Sequence, residues 1–196
     1  PTKIGYTFAG WSGGKNLFNK DATPYYQNSW INESGGRNSE QYYSVYKIPI
    51  DENKEYTITH THTVVNPCYA IFDENDTLLI AEKYSSRKTI TFTSPANSKY
   101  ILVSVITDPT FTPHYDKDIF QLEEGTNATS YEPYVSNETT LTIPSGSVGN
   151  RKYIANCTAN TYTVTADANG GSIPSTTGWT GTGNTATKSV TYDSQY

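Results

Sequence analysis

Two short aromatic runs carry the side chains best suited to recognition. They are "YYQNSW", with Tyr25, Tyr26 and Trp30, and "QYYSVY", with Tyr42, Tyr43 and Tyr46. A flat ring stacks on a sugar or on a protein side chain, and the tyrosine hydroxyl adds a hydrogen bond at its rim. Tyrosine is also a favoured strand residue, so the competing expectation is that these rings pack within a sheet.

Metal chemistry has less to work with. His60 and His62 are two apart on an expected strand and His114 is a third imidazole, but no carboxylate stands at matching spacing. The expectation is therefore histidines on a sandwich face, with no metal and no cofactor. Asp73, Asn75 and Asp76 are rich in oxygen but lack the glycine and terminal glutamate of a calcium loop, so they are expected to form a hairpin turn. The chain has no serine elbow, no cysteine beside a histidine base, no phosphate loop and no evident carboxylate pair. No catalytic residues are expected, and the protein is read as a non-enzyme. The two cysteines, Cys68 and Cys157, are far apart and show no metal-ligand spacing. They either form a disulfide in an oxidising compartment or remain small buried thiols.

The elements that must position these residues read as strands throughout. The chain has 196 residues, 35% of them hydrophobic, enough for a real core. Apolar runs are short and broken by Gly, Pro, Asn and Asp, the pattern of an all-β protein. Residues 47–121 give successive strands at sandwich spacing. In "EYTITHTHTVV" the odd-numbered threonines Thr57, Thr59, Thr61 and Thr63 are predicted on a wet face, with Tyr56, Ile58, His60, His62 and Val64 on the other. "TADANGG" predicts a strand running into an Asn-Gly turn. With a net charge of −5 and scattered Lys and Arg, nucleic-acid binding has no electrostatic basis. No apolar run approaches the roughly 18 residues of a membrane helix.

Four stretches resemble one family. "YTVTADANGG" (Tyr162 to Gly171), "VTYDSQY" (Val190 to Tyr196), "PTKIGYTFAGW" (Pro1 to Trp11) and "IPSGSVGNRKYIANC" (Ile143 to Cys157) look like the Listeria-Bacteroides repeat, the β-grasp-like module of internalin-type surface proteins. Their order implies that residues 1–14 begin the back half of a repeat, residues 136–159 close it, and residues 160–196 form the front half of a following one. Residues 15–135 are then an insert. The resemblance implies that the chain starts within a repeat, and that any signal or anchor lies outside this stretch. Cys157 and Ala166 stand where the family has Trp and Phe, so two aromatic anchors are missing. A Cys68–Cys157 bridge would compensate for them. The short link at residues 158–160 argues against the two halves closing on each other within one chain.

The insert has its own resemblance. "GKNLFN" at its start and "FQLEEGTNATSYEPY" (Phe120 to Tyr134) at its end look like the boundaries of jelly-roll, carbohydrate-binding-module-like domains in phage minor tail proteins and Gram-positive surface proteins. Such sandwiches often carry a structural calcium, for which the sequence places no ligands. Together the resemblances imply a jelly-roll β-sandwich set in a β-grasp-like repeat, exposed outside the cell or on its surface. The implied role is a module of an adhesin, stalk or fibre that binds a glycan or a cell-surface protein. The alternatives are a filament subunit, built from copies that complete each other head-to-tail, and a phage tail-fibre module.

Overall fold

The computed structural model describes residues 1–61, 68–84, 88–111, 115–173, 178–181 and 183–193. The regular elements among them are all strands. In chain order they are β1 (Tyr6–Gly14), β2 (Tyr26–Ile31), β3 (Arg37–Pro49), β4 (Glu55–Thr59), β5 (Cys68–Phe72), β6 (Leu78–Lys83) and β7 (Thr89–Thr93). They continue with β8 (Tyr100–Ile106), β9 (Gln121–Glu124), β10 (Val135–Glu138), β11 (Lys152–Ala159), β12 (Thr161–Asp167) and β13 (Thr185–Thr191). The chain forms two compact units. One comprises Pro1–Trp11, Asn137–Thr140 and Ala155–Tyr196, and the other Ser12–Ser136 and Leu141–Ile154. Residues 141–154, expected with the closing strand of a repeat, thus belong to the larger unit.

The larger unit is a sandwich of a five-stranded sheet, in the order β2-β3-β8-β5-β6, and a three-stranded sheet, β7-β4-β9. Its winding follows from the strand pairs. β3 pairs with β8, β4 with β7 and β5 with β6, all antiparallel, so the chain is one long ribbon folded back on itself. The second ribbon pair lies in the other sheet, and contact of β5 with β8 closes the roll. This is the winding of a jelly roll, with three ribbon pairs where the full eight-stranded form has four. The fold-back is the Asp73 turn. The Asp73 carboxylate accepts the amides of Asn75 (2.9 Å) and Thr77 (2.8 Å), and Asp76 takes a positive φ of 59°. The oxygen-rich run therefore closes a hairpin, as its sequence predicts.

Two buried clusters hold the sandwich. Between the sheets lie Tyr46, Ile48, Tyr69, Ile71, Ile101, Val103 and Val105 from one side and Tyr56, Ile58, Phe92 and Leu122 from the other, with Phe18, Tyr84 and Phe120. On the other face of the five-stranded sheet, Ile31, Val45, Cys68, Ala70, Tyr100 and Leu102 form a second cluster, with Tyr26, Phe72 and Ala81 packed on it. β8 is central and buried along its whole length, which is why "YILVSVI" is a continuous apolar run and not an alternating one. Its one polar residue is satisfied: Ser104 Oγ donates to the Cys68 carbonyl and accepts the Ile31 amide, both at 2.9 Å.

β4 departs from the predicted alternation. Tyr56, Ile58 and His60 are buried as expected, but Thr57 is buried too, its hydroxyl donating to the Gly125 carbonyl at 2.7 Å. The strand ends at Thr59, and His62, Thr63 and Val64 lie outside the described residues.

β1 runs between β10 and β11. A Cβ at Gly10 would sit 2.6 Å from the Asn137 backbone, and one at Gly13 would sit 2.2 Å from the Lys152 carbonyl oxygen. Both glycines hold φ values in the left-handed range, so that close approach needs the missing side chain twice over.

In the smaller unit β12 pairs with β13 from Thr161–Thr191 to Asp167–Thr185. The Asn169-Gly170 turn forms as predicted, with both residues at positive φ and the Gly171 amide donating to the Ala168 carbonyl at 2.9 Å. Asn160, the single residue between β11 and β12, binds both ends of this unit. Its amide donates to the Gly5 carbonyl, its carbonyl accepts the Tyr192 amide (both 2.8 Å), and its side-chain oxygen accepts the Thr7 hydroxyl at 2.6 Å. Tyr6 and Tyr192 meet edge to face at 5.5 Å. The short link therefore does not keep the N- and C-terminal segments apart, as its length suggested: they share one compact unit. Ala186 is the only fully buried apolar side chain among this unit's described residues, in keeping with the absence of aromatic anchors at Ala166 and Cys157.

Candidate functional site

The six aromatic residues do not form one patch. Tyr43 and Tyr46 are core residues, 5% and 3% exposed, and burial pushes both phenols up to about 12. Tyr43 therefore offers no surface to a ligand, against expectation, whereas Tyr46 lines the cleft described below. Neighbouring strand positions alternate sides, so Tyr43 and Tyr46 sit on opposite faces of β3. Tyr46 packs edge to face on Phe18 at 4.9 Å. Tyr42 stacks on Phe111 at 4.4 Å, and Trp30 is half-buried near the far end of β2.

Tyr25 and Tyr26 remain together. Their ring centroids are 4.4 Å apart, with Tyr25 exposed and Tyr26 half-buried. The register of β2 on β3 sets their neighbours. Tyr26 lies opposite Val45, which brings Lys47 beside the pair, and a bulge between Gln27 and Ser29 re-aims the rest of β2. Asn28 takes the bulge with a φ of 50°. The Lys47 ammonium lies 5.1 Å from the Tyr25 ring and 3.6 Å from the Tyr100 ring, and the Arg37 guanidinium lies 5.0 Å from Tyr26. These cation–π contacts are worth about 0.5–2 kcal/mol each. Tyr100 in turn stacks on Phe72 at 5.2 Å and donates its hydroxyl to Asp76 at 2.7 Å. Burial first, and that bond to a carboxylate second, raise its phenol far above the ordinary range.

Beside this cluster opens a cleft of about 420 Å³, whose walls include Pro24, Tyr25, Tyr46, Lys47, Pro49 and Tyr134. It falls in the size range of small-molecule sites. The walls are largely apolar and aromatic, with Lys47 as a cation and Asn19 and Thr23 as polar groups, a surface able to stack on and hydrogen-bond to a ring-shaped ligand. Sequence reasoning missed Lys47, Tyr100 and Tyr134. Lys47 was legible only through strand register.

The two motifs at the ends of the insert meet in the structure. Asn16, fully buried, donates to the Phe120 carbonyl (3.0 Å) and accepts the amides of Phe18 (3.0 Å) and Leu122 (3.1 Å). Lys15, 2% exposed, donates to the Ser130 carbonyl and pairs with Glu132 at 3.1 Å. Arg151 reaches the same carboxylate at 2.9 and 3.2 Å. Glu123 and Gln121, both buried, hold the following loop: Glu123 accepts the amide (2.9 Å) and hydroxyl (2.6 Å) of Thr129, and Gln121 accepts the Glu132 amide at 3.0 Å. "GKNLFN" and "FQLEEGTNATSYEPY" are thus two halves of one clasp.

The remaining candidates are placed as follows. His60 is 1% exposed, with its ring 5.1 Å from Tyr84, and is a core residue. His62 and His114 lie outside the described residues. Among the described residues no group of three or more His, Cys, Asp or Glu could hold a metal ion. No Cys68–Cys157 bridge is present. Cys68 is 0% exposed within β5, where burial first and the Glu33 charge second push its thiol up to about 11, and Cys157 is half-buried in β11.

Fold and site define a class: an all-β sandwich protein with an aromatic, cation-bearing cleft at one edge of its larger sheet. Comparison with protein-family models, curated proteins and solved structures gives no match.

Proposed function

We propose that this chain is a non-enzymatic extracellular module of a surface adhesin, stalk or fibre, set among Listeria-Bacteroides-type repeats, whose sandwich binds a glycan or a cell-surface protein. The observation that carries the reading is the Tyr25–Tyr26 pair at the cleft, with rings 4.4 Å apart beside Lys47. Tyr25 is exposed beside the half-buried Tyr26, and an exposed ring at a cleft suits stacking on a sugar or a side chain. Several copies on one fibre would turn a weak site into useful avidity. The head-to-tail alternative has less support, because Tyr192 is already engaged by Tyr6 of its own chain.

The test is a glycan and surface-protein array probed with the full chain, followed by titration of any hit with Tyr25→Ala. Tyr25 is exposed, so the variant should keep its melting temperature and lose at least tenfold in affinity. An array with no hit, or a hit that Tyr25→Ala binds as tightly as the parent, overturns the reading.

A further inference from the structure

The two edges of the β12–β13 ribbon are treated differently. The Ala168 amide donates to Asn184 (2.7 Å) and the Asn160 carbonyl accepts from Tyr192 (2.8 Å). With the register known, this fixes Tyr162, Val164 and Ala166 as the residues that exchange hydrogen bonds with β13. The backbone N–H and C=O groups of Thr161, Thr163, Thr165 and Asp167 therefore turn away from β13. The outer edge of β13 is covered at Thr187, which exchanges bonds of 2.8 and 2.9 Å with Thr180. The outer edge of β12 is paired with no strand among the described residues. Its first five residues, Thr161 to Thr165, are all exposed, including Tyr162 at 48% and Val164 at 41%. It has none of the usual guards of an edge, neither proline, nor lysine, nor a bulge.

We propose that this edge pairs antiparallel with the same edge of a second copy, about a two-fold axis through Val164, giving a sheet in the order β13-β12-β12-β13. The sequence of β12 is its own complement in that register. Thr161 faces Asp167 and Thr163 faces Thr165 of the second copy, and each such pair exchanges two backbone bonds. On the other face Tyr162, the largest side chain, lies against Ala166, the smallest, and Val164 lies against Val164. Asp167, the strand's single charge, meets a threonine and not its own copy. Any other two-fold register that satisfies the outward groups leaves one end of the strand unpaired or stacks Tyr162 on itself. The contact is isologous and closed, so it stops at a dimer and brings two sandwiches together.

The experiment uses the full chain. Sedimentation from micromolar to near-millimolar concentration should show the mass rise from 21.7 kDa towards twice that value. Thr163→Pro removes an amide that points away from β13, so the ribbon should keep its circular dichroism while the particle stays monomeric. Val164→Cys places two thiols at a non-hydrogen-bonded pair with Cα atoms about 4.5 Å apart, within disulfide reach, and mild oxidation should give a covalent dimer. Thr163→Cys, opposite Thr165, should not give that dimer, nor should the parent chain. A chain that is monomeric at every concentration overturns the proposal and leaves the edge to a strand of different chemistry. So does a Val164→Cys variant that crosslinks no more than the Thr163→Cys one.

Discussion

Replacing Asn16 by alanine should come close to unfolding the larger unit. The side chain is fully buried and serves three backbone groups: the Phe120 carbonyl and the amides of Phe18 and Leu122. Alanine leaves all three without that partner in a site too tight for easy solvation. A buried orphan costs about 1–3 kcal/mol, and partial relaxation of the loop gives a total of about 3–6 kcal/mol. Domains of this size hold about 5–15 kcal/mol in all, so the loss is a large fraction. With a urea slope of about 2 kcal/mol per molar, the midpoint should fall by about 1.5–3 M.

The assay has to watch this unit alone. Trp30 is its single tryptophan, since Trp11 and Trp179 belong to the other unit. Fluorescence of a Trp11→Phe, Trp179→Phe chain in urea therefore reports the sandwich. Asn16→Asp keeps an acceptor for the two amides but turns an oxygen towards the Phe120 carbonyl, and should lie between alanine and the parent. A midpoint shift below about 0.5 M for Asn16→Ala would refute the argument, because it would mean that the three backbone groups find water or new partners at little cost.

Two further outcomes follow from burial. Tyr43, Tyr46 and Tyr56 each have a phenol pushed up to about 12, burial being the largest cause. A pKa raised in the folded state gives stability that is complete below the unfolded value of about 10 and is lost as pH rises through 12, about 2 kcal/mol per tyrosine by then. Alkaline unfolding should fall in that window, with the 295 nm tyrosinate signal and the loss of far-ultraviolet dichroism coinciding; ionisation of these phenols in a chain that stays folded would contradict the reasoning. The cysteines should differ sharply towards a maleimide: Cys157 labels in the native chain, whereas Cys68 labels only in urea, and intact mass is the same with and without reductant before labelling.

Much of the sandwich was legible in the sequence because its strands obey simple periods. Tyr56 and Ile58 point inward in the alternation that β4 announces, and the unbroken apolar run of β8 marks a strand covered on both faces. Thr57 was misread because local pattern assigns a threonine to water, while its hydroxyl in fact meets a carbonyl 68 positions away. The six aromatic candidates do not share one patch, for a reason the sequence already contained. Tyr43 and Tyr46 are three apart on a strand, which puts them on opposite faces, so they could never share one surface. Lys47 is a different case. Its place beside Tyr25 depends on the β2–β3 register and on the bulge at Asn28, and neither leaves a mark in composition or period.

The two features that matter most lie on the strands that do not belong to the roll. The ribbon pairs β3·β8, β4·β7 and β5·β6 complete the winding by themselves, and β2 and β9 are additions at the edge of each sheet. β2 brings Tyr26 opposite Val45, and with it the aromatic pair beside the cleft. β9 brings Gln121, Leu122 and Glu123, which hold the entry at Asn16 and the exit through Thr129 and Glu132. A solvent-exposed position such as Tyr25 can change its side chain at small cost to the roll. A buried position cannot, and Val45 in β3 and Leu102 in β8 are both buried in the second cluster. Substitution of the exposed Tyr25 should therefore alter recognition before it alters folding, and substitution of Val45 or Leu102 should do the reverse.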